Sequence, residues 1–168
     1  MDICVPCAGV NKNVSFLETS LADFDRLSNV NIRGVYFTAK LAAAAMIENK
    51  SAHGSIILIA SIASHRAIRS QKSTAYCGTK GAVLAMCPAI AAELAQYSIR
   101  VNTISPGYVR TEMTTPFPHL LEEWKDEIMN GQVANPDDLM GGCIFLASDA
   151  SRYMTGQDLI LDGGVTKW

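Results

Sequence analysis

The stretch SIILIAS, residues 55–61, decides the architecture. Every side chain from Ile56 to Ala60 is apolar. In an extended chain successive side chains point to opposite faces, so this run is apolar on both. A strand buried on both faces belongs to a parallel sheet with helices above and below it. Three other segments read the same way. ICVPCAG (3–9) is a short apolar strand ending at a glycine, IRVNTIS (99–105) is closed by Pro106-Gly107, and DLILDGG (158–164) gives a last strand. Helical patterns lie between them. From Ser20 to about Lys50, the residues Leu21, Phe24, Leu27, Val30, Val35, Ala39, Ala42 and Met46 follow the helical period, with Asp23 completing part of a capping box. A second long helix runs from Ser73 to Gln96. Pro88 inside it is expected to remove one backbone bond and kink it, at roughly 3 kcal/mol. Residues 108–134 read as irregular or weakly helical. Asn135-Pro136-Asp137-Asp138 opens a helix to about Ser148, with an N-cap, a proline at the first position and acids at the positive helix end. Strands alternating with helices give an α/β fold, a partial doubly wound parallel sheet of about four strands with flanking helices, in one domain spanning 1–168.

The bulk numbers exclude several classes. Hydrophobic residues make up 49% of the 168 and charged residues 18%, as in a globular chain with a real core. A net charge of −2 argues against nucleic acid or an anionic membrane as partner. The sequence has no unbroken apolar run of membrane-spanning length and no signal pattern at MDICVPCAGV, so the expected location is cytoplasmic. Cys4 and Cys7 form a C-x-x-C. No second Cys/His pair completes a metal site, so no metal is expected, and the five cysteines read as packing residues.

Chemistry concentrates at STAYCGTKGA, residues 73–82. Tyr76 and Lys80 are four apart, which on a helix places them on one face, about 5–6 Å apart at Cβ. An ammonium beside a phenol favours phenolate, so the pair reads as a general acid/base. Asn31, between Val30 and Ile32 in mid-helix, is costly if buried without partners. That cost points to a specific role.

Taken in order, CAG (7–9), VNIRGVYF (30–37), IASIAS (59–64), YCGTK (76–80), RVNTISPGYVRTEM (100–113) and LILDGG (159–164) closely resemble the short-chain dehydrogenase/reductase family over essentially the whole chain. The resemblance implies an NAD- or NADP-dependent oxidoreductase that interconverts a carbonyl and a secondary alcohol. Tyr76 would move the proton. Lys80 would lower the tyrosine pKa and hold the nicotinamide ribose. Ser61, with Ser64 as the alternative, would bind the substrate oxygen, and Asn31 would hold a water linked to Lys80. Ala8, Gly9, Pro106, Gly107, the backbone of Val109 and the hydroxyl of Thr111 would meet the cofactor alongside Tyr76 and Lys80. Residues 113–131, with Phe117, Leu120, Leu121, Trp124 and Ile128, would form a substrate lid for a partly apolar small molecule. His65, Arg66, Arg69 and Lys72 could draw a polar or anionic one, though residues of this kind more commonly form a solvated basic loop. The resemblance also implies a homo-oligomer built on the helices over 21–49 and 73–96.

The sequence departs from the family pattern in three places. The glycine-rich turn G-x-x-x-G-x-G, which cradles the pyrophosphate, does not occur among the twelve glycines. The chain therefore reads as beginning at the family's fourth strand, without the first βαβαβ half. Residues 3–9 become an apolar edge open to pairing. Cys7 stands where the family carries an asparagine. The absent turn leaves a second functional reading open: a non-redox remnant that binds a small molecule, serves as a subunit or performs cofactor-free acid/base chemistry.

Overall fold

In the computed structural model, which describes every residue except Ala52, the run at 55–61 forms the second strand of a four-stranded sheet. Strands β1 (Ile3–Cys4), β2 (Gly54–Ile59), β3 (Ile99–Pro106) and β4 (Asp158–Leu161) lie side by side in chain order, all parallel. Ile56 pairs with Val101 and Ile104 with Leu159. The helices are α1 (Leu21–Ser28), α2 (Val35–Glu48), α3 (Thr74–Leu94), α4 (Pro118–Glu127) and α5 (Met140–Ala147).

Alternation along β2 decides what covers each face. Ile56, Leu58 and Val101 pack against Val83, Cys87 and Ala91 of α3 and Ala39, Ala43 and Met46 of α2. Ile57 and Ile104 point the other way, against Leu146 of α5. Ile56, Ile57 and Leu58 are each 0% exposed. Each such side chain contributes about 1.5–3 kcal/mol of transfer free energy, so the middle of the sheet anchors the fold. The segment Thr74–Tyr97 is long and apolar enough to cross a membrane by length and composition. Here it lies along the sheet with Val83, Cys87 and Ala91 as its buried stripe.

Several expectations are corrected. The first strand spans two residues rather than 3–9, because Pro6 has no N–H to continue the ladder and the chain turns off the sheet there. Leu21 and Phe24, expected inside, are 83% and 49% exposed, and burial on that helix begins at Leu27. Ser20 does cap α1, accepting from the Asp23 N–H at 3.1 Å, but its hydroxyl also donates to the Asp23 carboxylate at 2.8 Å. The second long helix is found where it is expected, and α3 runs through Pro88 as one helix of 21 residues. Val83 and Ala91 pin the turns on either side to the sheet, so the lost bond does not end it. Within 108–134 the structure has a full helix, α4. At 136 the chain first forms a 3-10 turn (Pro136–Leu139) before α5, with the Asn135 N–H donating to the Asp138 carboxylate at 2.7 Å.

Candidate active site

Parallel strands deliver their carboxyl ends to the same side of a sheet. The segments leaving β1, β2 and β3, together with the start of α3, enclose a cleft of about 760 Å³ there. Ser61 follows β2 with extended backbone, and its Oγ accepts from the Ala63 N–H at 3.1 Å, capping the short turn Ile62–Ser64. Ser61 lines the cleft. The Ser64 hydroxyl is buried without a partner and does not line it. The geometry therefore favours Ser61 of the two.

Tyr76 and Lys80 sit in the first two turns of α3, both facing the cleft. The Lys80 Nζ lies 5.8 Å from the centre of the Tyr76 ring. Lys80 is only 4% exposed, and its ammonium donates to the Ile59 carbonyl at 2.8 Å. Burial drives its pKa down to about 8, partly opposed by Cys7. Burial raises the Tyr76 phenol above its ordinary value, while the Ser61 hydroxyl pulls it back. This corrects the expectation of a phenol acidified by the lysine: in this arrangement desolvation dominates and Ser61 supplies the opposing influence. Lys80 carries a further consequence. With its folded pKa below the unfolded value near 10.5, the buried charge destabilises the fold below pH 8, and that cost fades as pH rises through the folded value. Lys80→Met is expected to be more stable than the wild chain by about 1–3 kcal/mol near neutral pH, the gap closing by about pH 10. Urea unfolding of both proteins across that range checks it.

Asn31 lies in a π-helical turn, Asn29–Gly34, that joins α1 to α2. It is 0% exposed. Its Oδ1 accepts from the Val10 N–H at 2.9 Å, and its Nδ2 donates to the Val10 carbonyl at 2.9 Å and to Thr79 Oγ1 at 3.0 Å. Thr79 in turn donates to the Tyr76 carbonyl at 2.8 Å. The carboxamide thus ties the loop after β1 to the turn of α3 that carries the pair. Gly9 lies beside this brace: a Cβ there would be at ordinary contact distance, 3.6 Å from Lys80 Nζ and 3.7 Å from Asn31 Oδ1.

The loop after β3 forms the facing wall. Pro106, Gly107, Val109 and Thr111 line the cleft, whereas Ala8 is exposed and does not. Gly107 donates to the Leu161 carbonyl at 2.9 Å, and a Cβ on it would fall 2.7 Å from Asp162 Cα. Gly107→Ala must therefore push β3 and β4 apart at their ends, at about 1–3 kcal/mol. Its urea midpoint should fall, and a midpoint equal to wild type would contradict this packing. The Val109 carbonyl accepts from Thr114 Oγ1 at 2.7 Å, while its N–H has no partner among the described residues. The Thr111 N–H donates to Thr114 Oγ1 at 2.9 Å.

Of the five apolar lid residues, Phe117 and Trp124 reach the cleft. Leu120, Leu121 and Ile128 are buried in the cluster behind it. The Trp124 ring stacks on Tyr108 at 4.4 Å between centroids and 4° between planes. Its Nε1 donates to Ser70 Oγ at 3.0 Å, and Tyr108 donates to Glu127 at 2.7 Å. The basic loop does not line the cleft, which goes against the alternative that it draws a substrate there. His65 pairs with Asp158 at 2.8 Å, Arg66 donates to the Val165 carbonyl, and neither they nor Arg69 and Lys72 line it. Sequence reasoning missed Gln71, Asn11 and Asn13, which do. They sit on loops, where no periodicity marks a facing residue. Among the described residues no cluster of three His, Cys, Asp or Glu could hold a metal ion, and all five cysteines are free.

The class is that of Rossmann-like α/β chains with a serine, a tyrosine and a lysine gathered at the carboxyl ends of parallel strands. The family model described as enoyl-(acyl carrier protein) reductase matches residues 1–166. Galactitol 2-dehydrogenase (L-tagatose-forming) of Cereibacter sphaeroides is 35% identical over 171 residues, covering 100% of this chain and 66% of that protein. A short-chain type dehydrogenase/reductase from Mycobacterium marinum superposes with a TM-score of 0.97 at 40% identity, over 100% of this chain and 66% of that one. A gluconate 5-dehydrogenase from Burkholderia cenocepacia, in complex with NADP and tartrate, superposes at 0.94 with 33% identity, over 100% and 66%. The chain belongs to the short-chain dehydrogenase/reductase family. It spans just under two thirds of the length of these relatives.

Proposed function

We propose that the chain carries the acid/base portion of an NAD- or NADP-dependent oxidoreductase interconverting a carbonyl and a secondary alcohol. The observation that carries this reading is the convergence of Ser61, Tyr76 and Lys80 on one cleft, beside a wall formed by Gly9, Pro106, Gly107, Val109 and Thr111. The donor set fits a nicotinamide riboside. The Lys80 ammonium uses one bond of its three among the described residues, and the Val109 N–H is open. Lys80 would hold the ribose hydroxyls, and Val109 and Thr111 the carboxamide. When bound, the nicotinamide supplies or accepts the hydride. In the reducing direction Tyr76 donates its phenolic proton to the carbonyl oxygen, and Ser61 holds that oxygen in place by donating to it. The raised phenol pKa keeps the acid form populated at neutral pH. Family likeness to an NADP complex supports the cofactor choice. We also propose association of copies through 21–49 and 73–96 and through the edge at 3–9, where Ile3 is 49% exposed.

Titration of the purified chain with NADPH and NADH, followed by turnover of a ketone in the nicotinamide absorbance, tests the reading. Binding with turnover supports it. No binding at cofactor concentrations of the order of millimolar, the upper end of ordinary enzyme affinities, would sink it for this chain. A monomer by sedimentation would remove the association proposal.

A further inference from the structure

We infer that Tyr108 is a positioning residue for the proposed reaction: it holds Trp124 of the lid at one depth beside Tyr76, and Glu127 is the acceptor that fixes it there. This rests on the oxidoreductase reading above, to which it adds the group that sets the substrate wall.

One side chain meets one helix face at two points. Trp124 and Glu127 stand three apart on α4, which places them on the same face. The Tyr108 ring stacks on the Trp124 indole, 4.4 Å between centroids and 4° between planes, and its hydroxyl donates to the Glu127 carboxylate at 2.7 Å. Burial and the Glu127 carboxylate both push the Tyr108 phenol above its ordinary value, so the donor keeps its proton. Tyr108 and Trp124 are both buried, and both line the cleft. The backbone around Tyr108 is committed on either side. Gly107 donates to the Leu161 carbonyl at 2.9 Å, the Tyr108 carbonyl accepts from the Ala134 N–H at 3.0 Å, and the Arg110 N–H donates to the Ala134 carbonyl at 2.8 Å. Tyr108 is thus a fixed post on which the lid rests.

The lid needs such a post because only one of its ends is seated. A Cβ on Gly163 would fall 2.6 Å from Ile128 Cγ2, and one on Gly164 would fall 2.6 Å from Met129 Sδ, so the end of α4 sits directly on the loop after β4. At the other end every residue from Thr115 to His119 is exposed. α4 can therefore tilt about its seated end. Leu120 and Leu121 pack in the cluster beneath, but apolar burial is non-directional and tolerates a slide. The Trp124 Nε1 bond to Ser70 Oγ ties the indole edge to the loop before α3. The Tyr108 bond ties the helix itself, one turn further on. It is directional, and its charged acceptor makes it one of the stronger kind. Tyr76 packs against the same cluster. A shift of the indole therefore changes the space in which a substrate carbon chain meets the Tyr76 phenol.

The test compares Tyr108→Phe, Glu127→Leu and Glu127→Gln with the wild chain in two arms. In the first, the chains are labelled with 5-fluorotryptophan, and the Trp124 fluorine signal, identified by its loss in Trp124→Phe, is recorded in H2O and in D2O. The wild signal should be single and show no solvent shift. Tyr108→Phe and Glu127→Leu should each make it shift with solvent or split. Glu127→Gln, whose carboxamide still accepts from the phenol, should match the wild chain. In the second arm, cyclohexanone is reduced with NADPH. Its KM should rise about tenfold in Tyr108→Phe and Glu127→Leu, the scale of one hydrogen bond to a charged group expressed as lost population of the competent lid. The kcat at saturating ketone and the NADPH Kd should stay within about twofold, a split that general loss of folded protein does not produce. Glu127→Gln should restore KM. A Trp124 signal in Tyr108→Phe identical to wild type overturns the inference, as does an unmoved KM or a failure of Glu127→Gln to rescue. The fluorine arm needs neither cofactor nor turnover, so the two readings fail separately. A chain that neither binds NADPH nor turns over the ketone loses the redox reading, and the fluorine arm then decides on Tyr108. Turnover with KM unmoved in Tyr108→Phe keeps the redox reading and removes the role of Tyr108.

Discussion

Tyr76→Phe is expected to lower kcat for carbonyl reduction by about 10²–10⁴-fold, the usual contribution of a positioned proton donor, with little change in stability. Both halves of that expectation come from the same surroundings. The phenol hydroxyl makes no hydrogen bond that secures the fold among the described residues, and the ring packs at the edge of the cluster around Trp124 and Tyr108. Removing the oxygen therefore costs the fold little beyond the phenol's contact with the Ser61 hydroxyl. It does remove the phenolic proton that the proposed reaction delivers to an oxygen held by Ser61. Binding of NADPH should persist, because Lys80, Gly9 and the Val109 N–H are untouched. Rapid-mixing measurement of the single-turnover rate, beside cofactor binding, separates the two effects. A variant within tenfold of wild type would show that the proton comes from elsewhere. The contrasting change is Lys80→Met, which should weaken cofactor binding while raising stability near neutral pH, since it discharges a buried ammonium.

How far these features were legible depends on whether a local pattern carried them. The buried strand at 55–61 was legible because two-sided apolarity has one structural meaning, and the sheet around it follows from alternation of strands and helices. Tyr76 and Lys80 were legible through a spacing that any helix enforces. The environment of the pair was not. Whether a phenol is made more acidic by a neighbouring ammonium or less acidic by desolvation depends on depth, and depth is a tertiary quantity. Leu21 and Phe24 obey the helical period yet stay exposed, because periodicity says which face is apolar and not whether anything packs on it. The partners of the basic loop were not legible either. His65 and Arg66 look free in sequence, but the fold brings Asp158 and the Val165 carbonyl to them from the far end of the chain. Gln71 carries no sequence signal. It lies on the loop before α3 and meets the cleft through the tertiary fold.

The largest effect on the fold is expected at Asn31. Asn31→Ala removes the partner of the half-buried Val10 N–H and carbonyl and one of the two partners of the Thr79 hydroxyl, around a side chain that is itself 0% exposed. Each buried polar group left unpaired costs about 1–3 kcal/mol, and water entering the gap would recover part of it. A net loss of about 3–5 kcal/mol follows, a large share of the 5–15 kcal/mol that holds a typical domain together. Thr79→Val removes a single hydroxyl and should cost about 1 kcal/mol. Because Asn31 and Thr79 share a bond, the double variant should lose less than the sum, with a coupling of about 0.5–3 kcal/mol in a urea-midpoint cycle. Strict additivity would mean the bond contributes nothing. The same brace bears on function. It fixes Val10, and through it Gly9, against the turn of α3 that holds Lys80. An Asn31→Ala protein kept folded at low temperature should therefore bind NADPH more weakly while Tyr76 and Ser61 stay as they are. A variant that lost stability but kept full cofactor affinity would assign Asn31 to the fold alone. Combined loss would assign it to both, through the position of one glycine.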